Sequence, residues 1–170
     1  PGGTLERWFR FTASAESGGD PATREDTMKK DIHPNYTVTE VTSNTFGLVR
    51  QKPILGRDFT PADELPGAPP VVILRYSFWE RRFAKDPGVI GRSVRLNGVP
   101  TTVIGIMPRG FSFPQNQDLW VPLVPTPEVM RRDRRNTWFV FGRLSDGATI
   151  ESARAEMDTI GQRLARAWPV

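Results

Sequence analysis

The chain is predicted to be an α+β domain, with mixed and antiparallel sheet and packed helices, on three observations. Its elements run strand, helix, strand, hairpin, strand, helix at uneven spacing, unlike the regular alternation of a parallel α/β sheet. Asn97-Gly98, within the stretch from Ser93 to Ile106, is the favoured pair for a two-residue type I′ turn joining antiparallel strands. From Thr149 onward the apolar period lengthens from that of a strand to that of a helix.

In chain order, Trp8 to Ala13 reads as a strand and Ser17-Gly18-Gly19-Asp20-Pro21 as a turn or loop. Tyr36 to Val41 sets Tyr36, Val38 and Glu40 against Thr37, Thr39 and Val41, and its β-branched residues favour a strand. Ser43 is placed to cap a short helix through Val49, which Gln51-Lys52-Pro53 would terminate. Thr60-Pro61-Ala62-Asp63 supplies a cap, a proline at the first helical position and an acid at the third, so a helix or a single turn starts there. Pro66-Gly67-Ala68-Pro69-Pro70 stops it. Val71 to Leu74 is wholly apolar and bounded by prolines, the signature of a strand buried on both faces.

A helix is predicted next, with Tyr76, Trp79 and Phe83 on one face and Arg81, Arg82 and Lys85 outward, ended by Asp86-Pro87-Gly88. The Asn97-Gly98 turn pairs Leu96 with Val99 and Val94 with Thr101 on one face, which Val103 continues. Arg95 opposite Pro100 and Ser93 opposite Thr102 lie on the other, which becomes apolar at Ile104 and Ile106. Pro108-Arg109-Gly110 breaks that strand, and Leu119 to Leu123 forms another. Trp138 to Leu144 alternates in a way that predicts a strand covered on both sides. Ile150, Ala153, Met157, Ile160, Leu164 and Trp168 then make one stripe of an amphipathic helix, capped by Thr149 and ended by Pro169. Glu151 in its first turn, and Arg163 and Arg166 towards its end, suit the helix dipole.

At 170 residues this is one ordinary domain, or two small subdomains sharing a core. Its 38% hydrophobic content, with 10 Phe and 5 Trp, argues for a folded chain. No apolar run approaches the roughly 20 residues of a membrane-spanning helix, so the chain is not expected to cross a membrane by itself. It starts at Pro1-Gly2-Gly3 without a recognisable signal peptide and reads as a piece excised from something longer. The absence of cysteine rules out disulfides and thiolate zinc sites, and does not place the chain in a compartment. Its 23 basic and 19 acidic residues leave a modest excess that clusters only at Arg131, Arg132, Arg134 and Arg135. No helix-turn-helix, aromatic RNA-binding or zinc-finger pattern surrounds that cluster, so a solvated loop is expected and nucleic acid is not. Contact with lipid headgroups is the second reading of the same arginines.

Catalytic motifs are sparse. The single histidine, His33, cannot build a Ser-His-Asp relay or a multi-histidine metal site. Asp58, Asp63 and Glu64 are close enough in sequence for a two-carboxylate hydrolase to be considered, although turn and cap positions account for them. No glycine loop of the phosphate-cradling kind is present, so the chain is not expected to hydrolyse ATP, and no cofactor is implied. Asn35-Tyr36-Thr37 matches a glycosylation acceptor, a pattern too common to inform. Phe111, Phe113 and Trp120 could stack on a ligand or fill a core.

One family resemblance runs through the middle of the chain. Ser43-Asn44-Thr45-Phe46, Leu55-Gly56-Arg57-Asp58-Phe59-Thr60, Val71-Val72-Ile73-Leu74, Phe78-Trp79-Glu80-Arg81-Arg82-Phe83, Ile90 to Gly98, Thr102 to Pro108 and Leu119 to Leu123 occur in an order that resembles the extracytoplasmic core domain of MacB-like ABC transporter permeases. The likeness extends through the strand and helix from Phe139 to Ala167, within which Gly147 to Met157 resembles the family's final strand-to-helix element, and is weakest over the first forty residues. It implies two small α+β subdomains, one inserted in the other, drawn here as residues 1–65 plus 136–170 and residues 66–135. It also implies a non-catalytic domain looped out between two membrane helices, on the periplasmic side of the bacterial inner membrane. The implied partners are a permease dimer mate or second permease half, an ABC ATPase acting through the membrane helices, and a periplasmic adaptor or carried substrate. The implied role is to couple ATP-driven helix motion to export or release. The alternative is a free-standing extracytoplasmic module that binds a small ligand or glycan on Phe111, Phe113 and Trp120.

Overall fold

The computed structural model describes residues 9–10, 36–127 and 138–167. They belong to two compact units, one spanning Arg7–Phe141 and the other holding the described residues from Gly142 onward. Among the described residues, the first unit carries a mixed sheet of eight strands: β1 (Phe9–Arg10), β2 (Val38–Val41), β3 (Leu55–Gly56), β4 (Val71–Leu74), β5 (Ser93–Leu96), β6 (Val99–Ile106), β7 (Leu119–Pro122) and β8 (Trp138–Phe139). Their spatial order is β3, β6, β4, β7, β2, β1, β8, with β5 also paired to β6. β4 runs parallel to β6 and β2 parallel to β7, while the other pairs are antiparallel, so the sheet is mixed as the sequence predicts.

The sheet divides two cores, and β4 feeds both. Its four residues are all buried because successive side chains point to opposite faces. Val72 and Leu74 join Phe78, Trp79, Val89, Val94, Leu96, Val103, Ile106 and Leu119 on one side. Val71 and Ile73 join Val41, Phe46, Leu48, Phe59, Ile104, Met107 and Trp120 on the other. At about 1.5–3 kcal/mol for each large apolar side chain removed from water, these two clusters are the main source of the unit's stability.

The helices are short. Helix α1 (Thr45–Leu48) brings Phe46 and Leu48 to the second core. Its cap differs from the expected one: Asn44, not Ser43, stands at the N-cap position. The Ser43 amide instead donates to the Glu64 carboxylate, and the Thr45 hydroxyl donates to the Thr42 carbonyl at 2.6 Å. Helix α2 (Tyr76–Phe83) places Tyr76, Phe78, Trp79 and Phe83 on the first core. It stops earlier than predicted, at a left-handed Ala84 (φ 49°) followed by Lys85 (φ 59°). Asp86 then caps a separate 3-10 turn over Pro87–Val89 by accepting the Gly88 amide at 2.9 Å. The Trp79 indole N–H donates to the Asp86 carbonyl at 2.9 Å and ties the turn to the helix.

The hairpin has the predicted register, with Leu96 opposite Val99, Arg95 opposite Pro100, Val94 opposite Thr101 and Ser93 opposite Thr102. Asn97 and Gly98 both take positive φ, 50° and 79°, as a type I′ turn requires. Val94, Leu96, Thr101 and Val103 are buried, while Val99, at the tip, is half exposed. The Tyr36 hydroxyl donates to Asn97 Oδ1 at 2.8 Å and accepts the Asn97 amide at 3.2 Å, anchoring the tip.

A bulge in β6 is a feature the pattern reading does not anticipate. Val72 pairs with Val103 but Ile73 pairs with Gly105, leaving Ile104 as the extra residue. β3 presses against the same point, since a Cβ on Gly105 would lie 2.6 Å from the Arg57 carbonyl oxygen. A Cβ on Gly56, whose φ is 78°, would lie 2.1 Å from that of Ile104.

Residues beyond β8 correct another expectation. The strand predicted for Trp138 to Leu144 is paired only over Trp138–Phe139, and Phe139, Val140 and Leu144 are exposed. In the second unit, helix α3 (Ile150–Ala167) has the predicted cap: Thr149 Oγ1 accepts the Ser152 amide at 3.2 Å and the Thr149 amide donates to Ser152 Oγ at 3.0 Å. None of its residues is buried. The two compact units divide at Phe141/Gly142.

Candidate interaction surface

The three aromatic residues singled out for ligand stacking sit on the second core. Trp120 is fully buried because β7 lies between β4 and β2, and its indole N–H donates to the Phe113 carbonyl at 2.9 Å. Its ring meets Phe46 edge-on at 5.7 Å and Phe111 at 5.4 Å. Phe46 in turn stacks on Phe59 at 5.9 Å and meets Phe111 edge-on at 5.6 Å. Phe113 is half-buried and packs edge-on against Phe141 at 5.0 Å. These spacings are those of favourable aromatic pairs, each worth about 0.5–1.5 kcal/mol beyond burial. The Trp120 face that would stack on a ligand is therefore taken by Phe46 and Phe111, which corrects the reading of Trp120 as surface. Phe111 and Phe113 keep a partly open rim. The arginines of the other candidate surface, Arg131, Arg132, Arg134 and Arg135, lie outside the described residues, as does His33.

The carboxylates considered for hydrolysis are each held by a neighbouring group. Asp63 accepts both guanidinium arms of Arg57, at 2.7 and 2.9 Å, and also the Thr60 amide at 2.7 Å and hydroxyl at 2.8 Å. The predicted cap at Thr60 is thus present, over a single 3-10 turn at Pro61–Glu64. The Arg57 hydrogen bond is the main reason that the Asp63 carboxyl is lowered to about 2. Asp58 is shifted the other way: burial raises its carboxyl, partly offset by the Phe59 amide, which donates to it at 2.7 Å. Glu64 accepts the Ser43 amide and so ties the 3-10 turn to the start of α1. Asp63 and Glu64 thus brace the loop between β3 and β4, and Asp58 is engaged by its own chain.

A second polar cluster, which motif reading missed, lies at the ends of α2. Lys85 and Arg109 flank the Tyr76 ring, with their charged atoms 5.7 and 5.3 Å from its centroid. Both pair with Glu80, at 2.6 and 3.6 Å. Nearby in the fold, Asp118 accepts the Thr37 amide at 3.2 Å and Arg81 at 3.3 Å, linking α2 to the approach to β2. The only sequence signal was the charge-rich Glu80-Arg81-Arg82 segment, because Arg109 and Asp118 arrive from distant loops. Exposed pairs of this kind contribute little stability individually.

One family model matches most of the chain. The MacB-like periplasmic core domain matches residues 9–160. The crystal structure of the periplasmic region of MacB from Actinobacillus actinomycetemcomitans has a TM-score of 0.61 and 20% identity, over 78% of this chain and 58% of that one. The extracellular domain of the noncanonic ABC-type transporter YknZ from Gram-positive bacteria is also similar, at 20% identity and a TM-score of 0.44, over 70% of this chain and 51% of that one. This chain spans less than two thirds of the solved MacB region. No curated protein matches it. With nearly the whole chain matched and the mixed sheet in place, the chain belongs to the MacB-like periplasmic core domain family, the extracytoplasmic domains of ABC transporter permeases.

Proposed function

We propose that this domain is a non-catalytic coupling element of a bacterial inner-membrane ABC permease. The family match over residues 9–160 carries the reading. In it, an ATPase on the opposite side of the membrane moves the membrane helices, and those helices move this domain against its dimer mate or second permease half. The movement changes how the domain holds a carried substrate or a periplasmic adaptor. Two properties of the first unit suit such a part. Its sheet is packed on both faces, which suits it to moving as one body, and hydrogen bonds tie the 3-10 turn to the start of α1 and α2 to Asp118. Among the described residues, no helix is long and apolar enough to cross a membrane, so the motion would be delivered through segments outside them.

The chain contains no cysteine, which makes a direct test practical. Ser93→Cys at this exposed position of the full-length permease is expected to add labelling by a membrane-impermeant maleimide in spheroplasts over that of the same permease with Ser93 intact. Labelling only after lysis would place the domain in the cytoplasm and end the proposal. For the coupling role, a cross-link that locks two copies of this domain is expected to stop export while leaving ATP hydrolysis measurable. Export that continues unchanged would refute coupling.

A further inference from the structure

The tip of the hairpin carries a reactive pair. Of the chain's asparagines, Asn97 alone is followed by a glycine. The backbone nitrogen after an asparagine can attack its carboxamide, and glycine has no Cβ to crowd that approach. Both residues are exposed, and a Cβ added at Gly98 would meet nothing within 4 Å, so the space beside the attacking nitrogen is open. Strand pairing closes with Leu96 opposite Val99 and leaves the Gly98 amide outside the ladder.

One contact opposes the reaction. The phenolic oxygen of Tyr36 lies 2.8 Å from Asn97 Oδ1 and 3.2 Å from the Asn97 amide nitrogen, so the carboxamide oxygen is held on the amino side of its own residue. The attacking nitrogen is on the carboxyl side. Closing the ring turns the carboxamide carbon towards Gly98 and breaks the Tyr36 hydrogen bond, and Tyr36 cannot follow because its ring packs on the first core. We propose that Asn97 is a site of spontaneous deamidation, and that the Tyr36 hydroxyl slows it by holding the carboxamide. The inference rests on the hairpin tip and stands whether or not the domain couples transport.

In the reaction a bond forms between the Gly98 nitrogen and Asn97 Cγ, while the Cγ–Nδ2 bond breaks. The Gly98 amide proton passes to solvent, and the side-chain nitrogen takes a proton from solvent and leaves as ammonia. Water then opens the cyclic imide at either carbonyl, giving aspartate or isoaspartate. Each product adds a negative charge at the tip. Isoaspartate also lengthens the backbone inside the turn that sets the register, so it should loosen the pairing of Leu96 with Val99.

Peptide mapping by mass spectrometry tests this on the 170-residue chain, incubated in mildly alkaline buffer to favour loss of the Gly98 proton. Aspartate and isoaspartate are expected at position 97 before any other asparagine is changed. Tyr36→Phe keeps the ring and removes the hydroxyl, and should speed the loss of Asn97 by about 3- to 10-fold, the equivalent of a typical hydrogen bond. Unchanged hydrogen-exchange protection of β4 and β6 in the variant would show that the effect is local. An Asn97 that stays intact in both chains overturns the site. An equal or slower rate in Tyr36→Phe overturns the role of the hydroxyl. Should Tyr36→Phe not fold, the wild-type chain decides: loss of Asn97 slower than in guanidinium chloride upholds protection by the fold, and loss as fast overturns it.

Discussion

Helix α2 is eight residues long and buries Phe78 and Trp79, whereas α3 is eighteen residues long and buries none. Both carry apolar residues at helical spacing with charges on the remaining faces. The difference lies in what each meets. The face of α2 lands on β4, β5 and β6, where Val72, Leu74, Val94, Leu96 and Val103 close over it, and Trp79 gains a hydrogen-bond acceptor in Asp86. An amphipathic pattern therefore states which face of a helix requires a partner; it does not state that the partner is at hand.

The largest expected effect tests the packed helix. Trp79→Ala should destabilise the first unit by about 3–5 kcal/mol, the range for removing a buried aromatic ring, read as a shift in a urea unfolding curve. A loss under about 1 kcal/mol would mean that α2 is as loosely held as α3.

Next comes the close approach of β3 to β6. Gly56→Ala forces a side chain into a positive-φ position and against the Ile104 carbonyl, and should destabilise by about 2–4 kcal/mol. The same change at Gly67, where φ is 85° but nothing lies within 4 Å, should cost about 1 kcal/mol. Equal losses at the two glycines would show that backbone strain alone, and not the strand contact, sets the requirement.

Asp63→Asn should destabilise by about 1–2 kcal/mol through loss of the Arg57 pair and a weakened cap. The pH dependence has a definite sign. Because the folded carboxyl is lowered to about 2 from an ordinary 3.8, its contribution is complete above about pH 4 and is lost as the pH falls towards 2. Urea midpoints measured between pH 5 and pH 2 should fall more steeply for the wild-type chain than for Asp63→Asn. Parallel curves would remove Asp63 from the acid response.

The smallest effect belongs to α3. Leu164→Ala in residues 1–170 should change stability by less than about 0.5 kcal/mol, because the side chain is half exposed and little burial is lost. A loss above about 2 kcal/mol would show that side chain already packed.

Much of the local structure was legible without coordinates, for a physical reason common to each case. Asn97-Gly98 sets the hairpin register because left-handed φ at both positions is cheap for those two residues. Thr60 to Asp63 form their turn, and Thr149 caps its helix, because the donors and acceptors involved lie within four residues of one another. Four apolar residues between prolines can only be satisfied between two cores, as Val71 to Leu74 are.

The candidate site was less legible because its meaning depends on distant partners. Phe111, Phe113 and Trp120 read as core more readily than as a stacking platform, and Phe46, arriving from another part of the chain, packs on Phe111 and Trp120. Gly105 carried a usable signal, an isolated glycine inside a strand, yet only the approach of Arg57 from β3 explains it. The Tyr76 cluster, the Ser43 to Glu64 link and the exposure of α3 were likewise decided in three dimensions. What the sequence determined by itself were turns, caps and apolar periods, whose energies are set within a few residues. The tertiary structure alone decided which apolar faces are covered and which charges meet, because burial and Coulomb energy depend on neighbours that sequence distance does not reveal.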